Sequence, residues 1–278
     1  MGATFIVTLR EAFEAALLLG IVYTYLDRVQ ARGQAAWVTL GAVAGLVASV
    51  AMGVAVSFLS GPLLDVGPDL IAAGVMFLAA AVLTWHGWWM GRHAGDIQGE
   101  VLRRVDEAQS ARRVWALALI AFTGVFREGA ETVLFLWGLM SQTAVTGWSG
   151  AIAGTLGVGT AALLGWLVFR GARRVPLRYF FAGTCALLLL VAAGLASTGV
   201  GRLEGLGLLP ASPTAWDSSW LLDDGSLVGR FFGGFVGYRA RPTALEALTY
   251  VVFLVGSGVF VLRPGPVAAS AGQRSLSR

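Results

Sequence analysis

The chain has 278 residues, of which 56% are hydrophobic and only 13% are charged. Because soluble domains usually carry about 25% charged residues, this composition argues against a soluble enzyme, a disordered chain and a coiled coil. The formal net charge is +4, and the basic residues are all arginine. The lack of lysine excludes a retinal Schiff base. The single cysteine, Cys185, excludes an intrachain disulfide and a cysteine-based metal centre.

The sequence contains seven apolar stretches. Each approaches or exceeds the length of about 20 residues that a helix needs to cross the hydrocarbon of a bilayer. They cover residues 3–26, 36–59, 70–90, 114–140, 148–169, 179–198 and 243–262. We therefore predict an all-α, polytopic membrane protein with seven transmembrane helices.

The arginines are distributed unevenly between the predicted loops. Fourteen of them lie in or beside the loops after the first, third and fifth stretches and in the C-terminal tail. The loops after the second and fourth stretches contain none. Because positive residues concentrate in cytoplasmic loops, we expect a plasma-membrane protein with its N-terminus outside and its C-terminus in the cytoplasm. The excess of arginine is explained by this orientation in the membrane. We therefore expect no nucleic-acid partner.

Two copies of one charged pattern, R-E-x-x-E, interrupt apolar stretches. The copies are Arg10, Glu11 and Glu14 in the first stretch, and Arg127, Glu128 and Glu131 in the fourth. An ionised side chain near the bilayer centre costs about 2.5–3.5 kcal/mol, so these groups are expected to face the bundle interior. Since a helix turns about 100° per residue, the two glutamates of each copy lie about 60° apart on one face. The arginine of each copy is then a charge partner of the carboxylates.

The first and fourth stretches are expected to cross the membrane in opposite directions. Stretches one to three and four to six then form two inverted halves, an arrangement typical of secondary transporters with a site between the halves. We predict a permease domain at residues 1–263 and a disordered cytoplasmic tail at 264–278. Within the domain we expect repeat one at 3–91, a cytoplasmic loop at 92–113, repeat two at 114–198, an external segment at 199–242 and helix seven at 243–262.

The four glutamates of the two motifs would form an oxygen-only metal site. Such a site suits Fe³⁺, Ca²⁺, Mg²⁺ or Mn²⁺ better than Cu⁺ or Zn²⁺, and charge does not separate Fe³⁺ from Fe²⁺. The residues leave three alternatives open. They are a permease for another divalent metal such as Mn²⁺ or Pb²⁺, a seven-helix sensor whose buried charges are structural, and a proton-coupled carrier of a small organic cation.

With these motifs the chain resembles the high-affinity iron permeases, a branch of the oxidase-dependent iron and lead transporters. The signature of that family is R-E-G-x-E in helices one and four. REGAE at 127–131 matches it fully, whereas REAFE at 10–14 has Ala12 in place of glycine. The likeness covers almost the whole chain, through TWHGWWMGR, IQGEVLRRVDEA, LLGWLVFRGARRVPLRYFF and WDSSWLLDDGSLVGRFFGGFVGYRARPT.

The resemblance implies uptake of iron, as Fe³⁺ or Fe²⁺, across the plasma membrane. The iron ligands that it implies are Glu11, Glu14, Glu128 and Glu131. Iron is then the transported substrate, and we expect no cofactor and no enzymatic activity. The resemblance also implies that an external oxidase or iron-binding protein supplies the metal, and we expect any such partner to be a separate chain.

Four further features carry weaker predictions. Asp65 and Asp69, in the predicted outer loop after helix two, are candidates for capturing iron, although a solvated loop with Asp69 as a helix N-cap is the preferred explanation. His86, near the inner end of helix three, could touch the exit path of the metal but is interpreted as an interfacial histidine. Segment 96–113 is predicted to be a short cytoplasmic helix with a solvated charged face. The sequence GRFFGGFVGY at 229–238 is predicted to be a flexible, partly interfacial external loop.

Overall fold

The computed structural model describes residues 2–66, 68–110, 113–142, 147–169 and 177–262. These residues form eight α-helices and one 3-10 turn, so the predicted all-α fold is confirmed for the described part of the chain. The helices are α1 (Gly2–Arg28), α2 (Ala35–Val66), α3 (Pro68–Ser110), α4 (Val114–Gln142), α5 (Gly147–Phe169), α6 (Leu177–Gly205), α7 (Leu227–Val236) and α8 (Ala244–Leu262). The tail predicted at 264–278 lies outside the described residues.

Five helices contain a segment long and apolar enough to cross a membrane. The segments are Arg32–Phe58, Asp69–Trp89, Gly150–Phe169, Phe180–Gly205 and Ala244–Val261. The two other predicted spans correspond to α1 and α4, which are 27 and 29 residues long. Length does not distinguish these two helices from the rest. They are less apolar than the five segments above because each R-E-x-x-E motif adds three charged residues to the helix.

The outer surface of the helix bundle is apolar. Large side chains spaced three or four residues apart are exposed along α2, including Leu40, Val43, Val47 and Val50, and α5 and α8 present similar surfaces. Monomeric soluble proteins rarely expose contiguous apolar patches of this extent. Hydrocarbon solvates such a surface at no cost, so this exterior is typical of a protein embedded in a lipid bilayer.

Helices α3 and α6 form the centre of the bundle and pack along each other. Their contact buries Met76 and Leu83 of α3 together with Val191 and Leu195 of α6, and Phe135 of α4 joins the same core. The packing fixes the position of α3 relative to α4. It therefore also fixes where the polar side chains of α3 meet those of the two motif helices.

Two further helix pairs surround this centre: α2 with α4, and α1 with α5. Along each contact, later residues of one helix lie against later residues of the other. The two helices of each pair therefore run in the same direction. A small residue recurs every fourth position on the contacting faces, at Gly41, Gly45, Ser49 and Gly53 of α2 and at Gly157, Ala161 and Gly165 of α5. Small residues allow helix backbones to approach closely in a membrane.

Gly41 provides a test of this packing. A methyl group at Gly41 would overlap the backbone carbonyl of Ala118 on α4. We expect Gly41→Ala to lower the free energy of unfolding by about 1–3 kcal/mol, the usual cost of overpacking. Gly74→Ala is the matched control, because a Cβ at Gly74 meets no other atom within 4 Å. Thermal unfolding in detergent compares the variants, and equal transition midpoints would contradict the proposed contact.

Helix α3 extends well beyond its apolar part. Its 43 residues make it about 65 Å long, roughly twice the thickness of the hydrocarbon. The predicted helix at 96–113 is thus the far end of α3. Its predicted solvated face is only partly correct, because Val101 and Val105 are buried against Leu26 of α1 and Leu117 of α4. This end of α3 therefore packs back onto the two motif helices.

The glycine-rich segment predicted to be a flexible loop forms α7 instead, so that prediction is wrong. Ser226 caps the helix by accepting a hydrogen bond from the backbone N–H of Gly229, and Gly237 ends it with a left-handed φ of 70°. Phe231 of α7 packs against Gly2 at the start of α1. Packing of the phenylalanines and the caps at both ends explain why this segment is helical.

Asp217, between α6 and α8, provides a pH-dependent test of this segment. Hydrogen bonds from the hydroxyl and backbone N–H of Ser219, together with Arg241, lower the pKa of Asp217 to about 2. Because the folded pKa lies below the reference value of 3.8, these contacts stabilise the segment fully above about pH 4 and are lost as the pH falls towards 2. An NMR titration of the Asp217 carboxyl should show this low midpoint, and Arg241→Gln should raise it. A midpoint at the reference value in the unmodified protein would contradict the arrangement.

Candidate functional site

The two R-E-x-x-E motifs meet inside the bundle, where α1 lies against α4. Gly124 of α4 contacts Leu18 of α1, one to two turns from the motifs, and lets the two helices approach closely. Glu11 and Glu14 of α1 and Glu128 of α4 are all buried. The sequence expectation that the motifs face the bundle interior therefore agrees with the position of these side chains.

Three glutamates and one histidine point into the same small space. One potential ligand atom from each of Glu11, Glu14, His86 and Glu128 lies within 4.8 Å of the other three. Glu131, the fourth glutamate of the motifs, lies beside this group and contacts Nδ1 of the His86 ring. The cluster thus combines side chains from three helices: α1, α3 and α4.

Four buried carboxylate oxygens of this cluster lack a hydrogen bond among the described residues, and two of them also lack an ion-pair contact. Glu11 Oε2 and Glu128 Oε2 are buried and accept no hydrogen bond from any described residue. Buried polar atoms without a partner are rare and costly, and each one calls for an explanation. A cation bound between the two carboxylates would satisfy both oxygens at once.

Arg10 holds the carboxylates of α1 in place. Its NH1 lies 3.1 Å from Glu11 Oε1, and its NH2 lies 3.0 Å from Glu14 Oε1. The Arg10 side chain is only 2% exposed. Because the three charges are withdrawn from water together, the Arg10 guanidinium offsets the mutual repulsion of the two carboxylates.

Arg127 occupies the same motif position on α4 but has a different environment. Its side chain is 46% exposed, and its Nε lies 3.1 Å from Glu131 Oε1 and 3.9 Å from Glu128 Oε1. The guanidinium also stacks over the Trp89 ring, 4.7 Å from the ring centroid. The cluster is therefore closed on the Arg10 side and accessible on the Arg127 side.

His86 lies at the centre of the site, so its interpretation as an interfacial histidine is wrong. It is 2% exposed. Its Nε2 lies 3.3 Å from Glu14 Oε2, and its Nδ1 contacts Glu131. The side chain thus connects the carboxylates of α1 to those of α4.

The sequence did contain a signal for this position. Buried residues of α3 recur at Met76, Ala79 and Leu83, with spacings of three and four, and the next position in that series is His86. The nearby tryptophans instead suggested a membrane interface. A histidine on the buried stripe of an apolar helix is a functional candidate by default.

Of the two aspartates predicted to capture metal, Asp69 lies in the first turn of α3 and pairs with Arg202 near the end of α6. That ion pair links α3 to α6. The side chain of Asp65 lies outside the described part of the structure.

The chemistry of the cluster suits a positive ion. Four carboxylates and two guanidiniums leave two net negative charges when His86 is neutral. Carboxylate oxygens bind hard and borderline metal ions, and an imidazole nitrogen suits the first-row transition metals. Among the described residues, the acidic and histidine side chains close enough to share one ion are Glu11, Glu14, His86 and Glu128.

Apolar helices surrounding a buried carboxylate cluster define a multi-pass membrane protein with an acidic interior site. Over residues 1–271 the sequence matches the iron permease FTR1 family. The chain belongs to this family, and the resemblance inferred from the two motifs is confirmed.

Similar proteins are named ferrous iron permease EfeU. The protein from Escherichia coli O6:H1 (strain CFT073) is 31% identical over 282 residues, which cover 99% of this chain and 100% of the relative. The one from Yersinia pestis is 32% identical over 278 residues, or 98% and 97% of the two chains. The one from Shigella sonnei is 30% identical over 279 residues, or 98% and 99%. No solved structure matches the chain.

Proposed function

We propose that the chain is a permease that carries iron across the plasma membrane by way of the glutamates of α1 and α4. The observation that carries this proposal is the buried cluster, in which Glu11, Glu14 and Glu128 approach one another and two carboxylate oxygens lack both a hydrogen bond and an ion-pair contact among the described residues. Such a concentration of carboxyl groups is stable in a membrane interior only when cations or protons neutralise its charge. Iron is the cargo that family membership favours.

In this proposal α1 and α4 also cross the membrane, which gives seven spans with α2, α3, α5, α6 and α8. The pairing of helices supports two inverted halves. Exchanging α1–α3 with α4–α6 converts the α2–α4 pair into the α5–α1 pair, and these are two of the most extensive contacts. An inverted repeat with a central site would allow alternating access from the two sides.

The orientation rests on the arginine distribution, which puts the N-terminus outside and the C-terminus in the cytoplasm. Helix α1 then runs inward and α4 runs outward. The accessible side of the cluster, at Arg127, faces the cytoplasm in this orientation because Arg127 precedes Glu131 on α4. The segment between α6 and α8 is then external, where a separate iron-donating protein would bind.

We propose Fe²⁺ as the ion that occupies the cluster. The similar proteins carry the name ferrous iron permease, and a divalent ion would bring the two net negative charges of the cluster to zero. Oxidation state and direction are testable with purified protein in vesicles loaded with an iron-sensitive dye. Iron is supplied outside either as Fe²⁺ with ascorbate or as chelated Fe³⁺.

We expect Fe²⁺ to enter vesicles that contain the protein and not empty vesicles, with Fe³⁺ entering more slowly. Mn²⁺ and a small organic cation, each offered alone, test the alternative cargoes. Faster uptake of either than of Fe²⁺ would contradict iron as the substrate. Absence of transport for every ion, together with retained folding, would favour a sensor with structural charges.

A further inference from the structure

His86 is buried in the centre of the glutamate cluster, and its two ring nitrogens face different helices. Nε2 faces Glu14 of α1 at 3.3 Å, whereas Nδ1 contacts Glu131 of α4. We propose that His86 is an iron ligand through Nε2, together with Glu11, Glu14 and Glu128. In this proposal Glu131 does not touch the ion and instead orients the imidazole. The inference rests on the proposed function and assigns the ligands of that site.

The first step of the argument is the hydrogen bonding of the ring. A neutral imidazole has one nitrogen that donates and one that accepts. An ionised carboxylate only accepts, so both ring nitrogens can donate to carboxylates only when the ring is an imidazolium. When Nδ1 donates to Glu131 and Nε2 carries no proton, the lone pair of Nε2 is directed at the carboxylates of the α1 side. A metal ion in that space then takes the place of the Nε2 proton.

The second step is the grouping of the ligand atoms. The residues that come within 4.8 Å of one another are Glu11, Glu14, His86 and Glu128. Glu131 lies outside this group, and its two oxygens contact Arg127 Nε and His86 Nδ1. The motif on α1 therefore offers two carboxylates to the ion, and the motif on α4 offers one.

The third step is the way histidine ligands are usually held. A metal-binding histidine almost always donates its other ring N–H to a carboxylate or carbonyl, which fixes the ring and raises its basicity. Glu131 is placed for this role on Nδ1. Arg127 fixes Glu131 in turn, at 3.1 Å, and is itself stacked on Trp89. The chain of contacts explains why Arg127 lies at the edge of the cluster.

A nitrogen ligand changes the preference of the site for metal ions. Mg²⁺ and Ca²⁺ prefer oxygen ligands throughout, whereas imidazole suits iron and other first-row transition metals. A site of three carboxylates and one imidazole therefore favours Fe²⁺ over the far more abundant Mg²⁺. Four glutamates without His86 would discriminate less well between these ions.

Iron K-edge X-ray absorption on the intact protein in nanodiscs, loaded anaerobically with Fe²⁺, tests the assignment directly. Imidazole bound to iron gives characteristic ring scattering that carboxylates do not give. We expect this signal in the unmodified protein, its loss in His86→Gln, and its retention in His93→Gln. The chain contains only these two histidines, so the comparison identifies the ligand.

Iron affinity, measured on the same samples, tests the role of Glu131. We expect Glu131→Gln, whose amide oxygen still accepts from Nδ1–H, to weaken Fe²⁺ binding by about tenfold, at the low end of the usual effect of such orienting residues. Glu128→Gln, which removes a direct charged ligand, should weaken binding about a hundredfold or more. His86→Gln should lower the preference for Fe²⁺ over Mg²⁺ by about tenfold or more.

The results separate this inference from the proposed function. Bound iron with oxygen neighbours only would overturn the role of His86 and leave the glutamate site standing. A larger loss of affinity in Glu131→Gln than in Glu128→Gln would overturn the division of roles. No binding of iron by the folded, unmodified protein would overturn the proposed function itself. The spectrum of the unmodified protein shows whether an imidazole binds the iron, even if a variant fails to fold.

Discussion

Glu11→Gln and Glu128→Gln are expected to reduce iron uptake to the background of empty vesicles. Each substitution preserves the size of the side chain and removes one negative charge from the cluster. Two unit charges about 4 Å apart in a protein attract each other by about 4 kcal/mol, and a divalent ion is held about twice as strongly. Since about 1.4 kcal/mol corresponds to a tenfold change in affinity, binding should weaken by about three orders of magnitude or more.

Uptake of ⁵⁵Fe into proteoliposomes measures this effect, and Glu107→Gln is the matched control. Glu107 is an exposed glutamate of α3 that pairs with Arg103 at the surface, so its uptake rate should equal that of the unmodified protein. Size-exclusion chromatography verifies that each variant is folded. Undiminished uptake by folded Glu11→Gln and Glu128→Gln would show that iron does not pass through the cluster.

The second large effect is expected for Arg10→Gln, which should destabilise the fold by about 3–5 kcal/mol. The substitution leaves Glu11 and Glu14 buried without their counter-charge, because the Arg10 side chain is 2% exposed and contacts both carboxylates. Removing one partner of a buried ion pair costs more than removing a surface pair, since the remaining charge has no water to solvate it.

Arg127→Gln is the matched comparison at the equivalent motif position. The Arg127 side chain is 46% exposed, so water compensates for the lost charge, and we expect about 1 kcal/mol or less from the exposed pair. Thermal unfolding in detergent measures both variants against the unmodified protein. Equal loss of stability in the two variants would contradict the difference in burial between the motifs.

This asymmetry separates two tasks that the motif sequence does not distinguish. Both arginines are charge partners of glutamates, but Arg10 is enclosed with its carboxylates, whereas Arg127 binds at the accessible edge and holds Glu131 beside His86. We expect Arg10 to affect mainly stability. We expect Arg127 to affect mainly iron affinity, through the orientation of the histidine.

Much of the fold followed from local patterns. Four of the eight helices, α1, α4, α5 and α8, match predicted apolar stretches within two residues at each end, because a helix that crosses hydrocarbon must satisfy its backbone hydrogen bonds internally. Two more, α2 and α6, begin as predicted and continue seven residues beyond the predicted end. A seventh, α3, continues its predicted stretch into the charged segment that follows it. The eighth, α7, was missed because glycines suggested a loop, whereas the cap at Ser226 and contacts of Phe231 stabilise a helix.

The composition and the two motifs by themselves indicated a membrane protein with glutamates that face the bundle interior, since the cost of charge in hydrocarbon depends only on residue type and on position in an apolar run. The resemblance carried by the same motifs indicated the family. Only the tertiary structure decided which helices pair, that His86 of α3 lies between the motifs, and that Arg10 and Arg127 differ in burial. These features depend on contacts between residues far apart in the chain. The period of a single helix describes which residues share a face, but the neighbouring helix determines what that face meets.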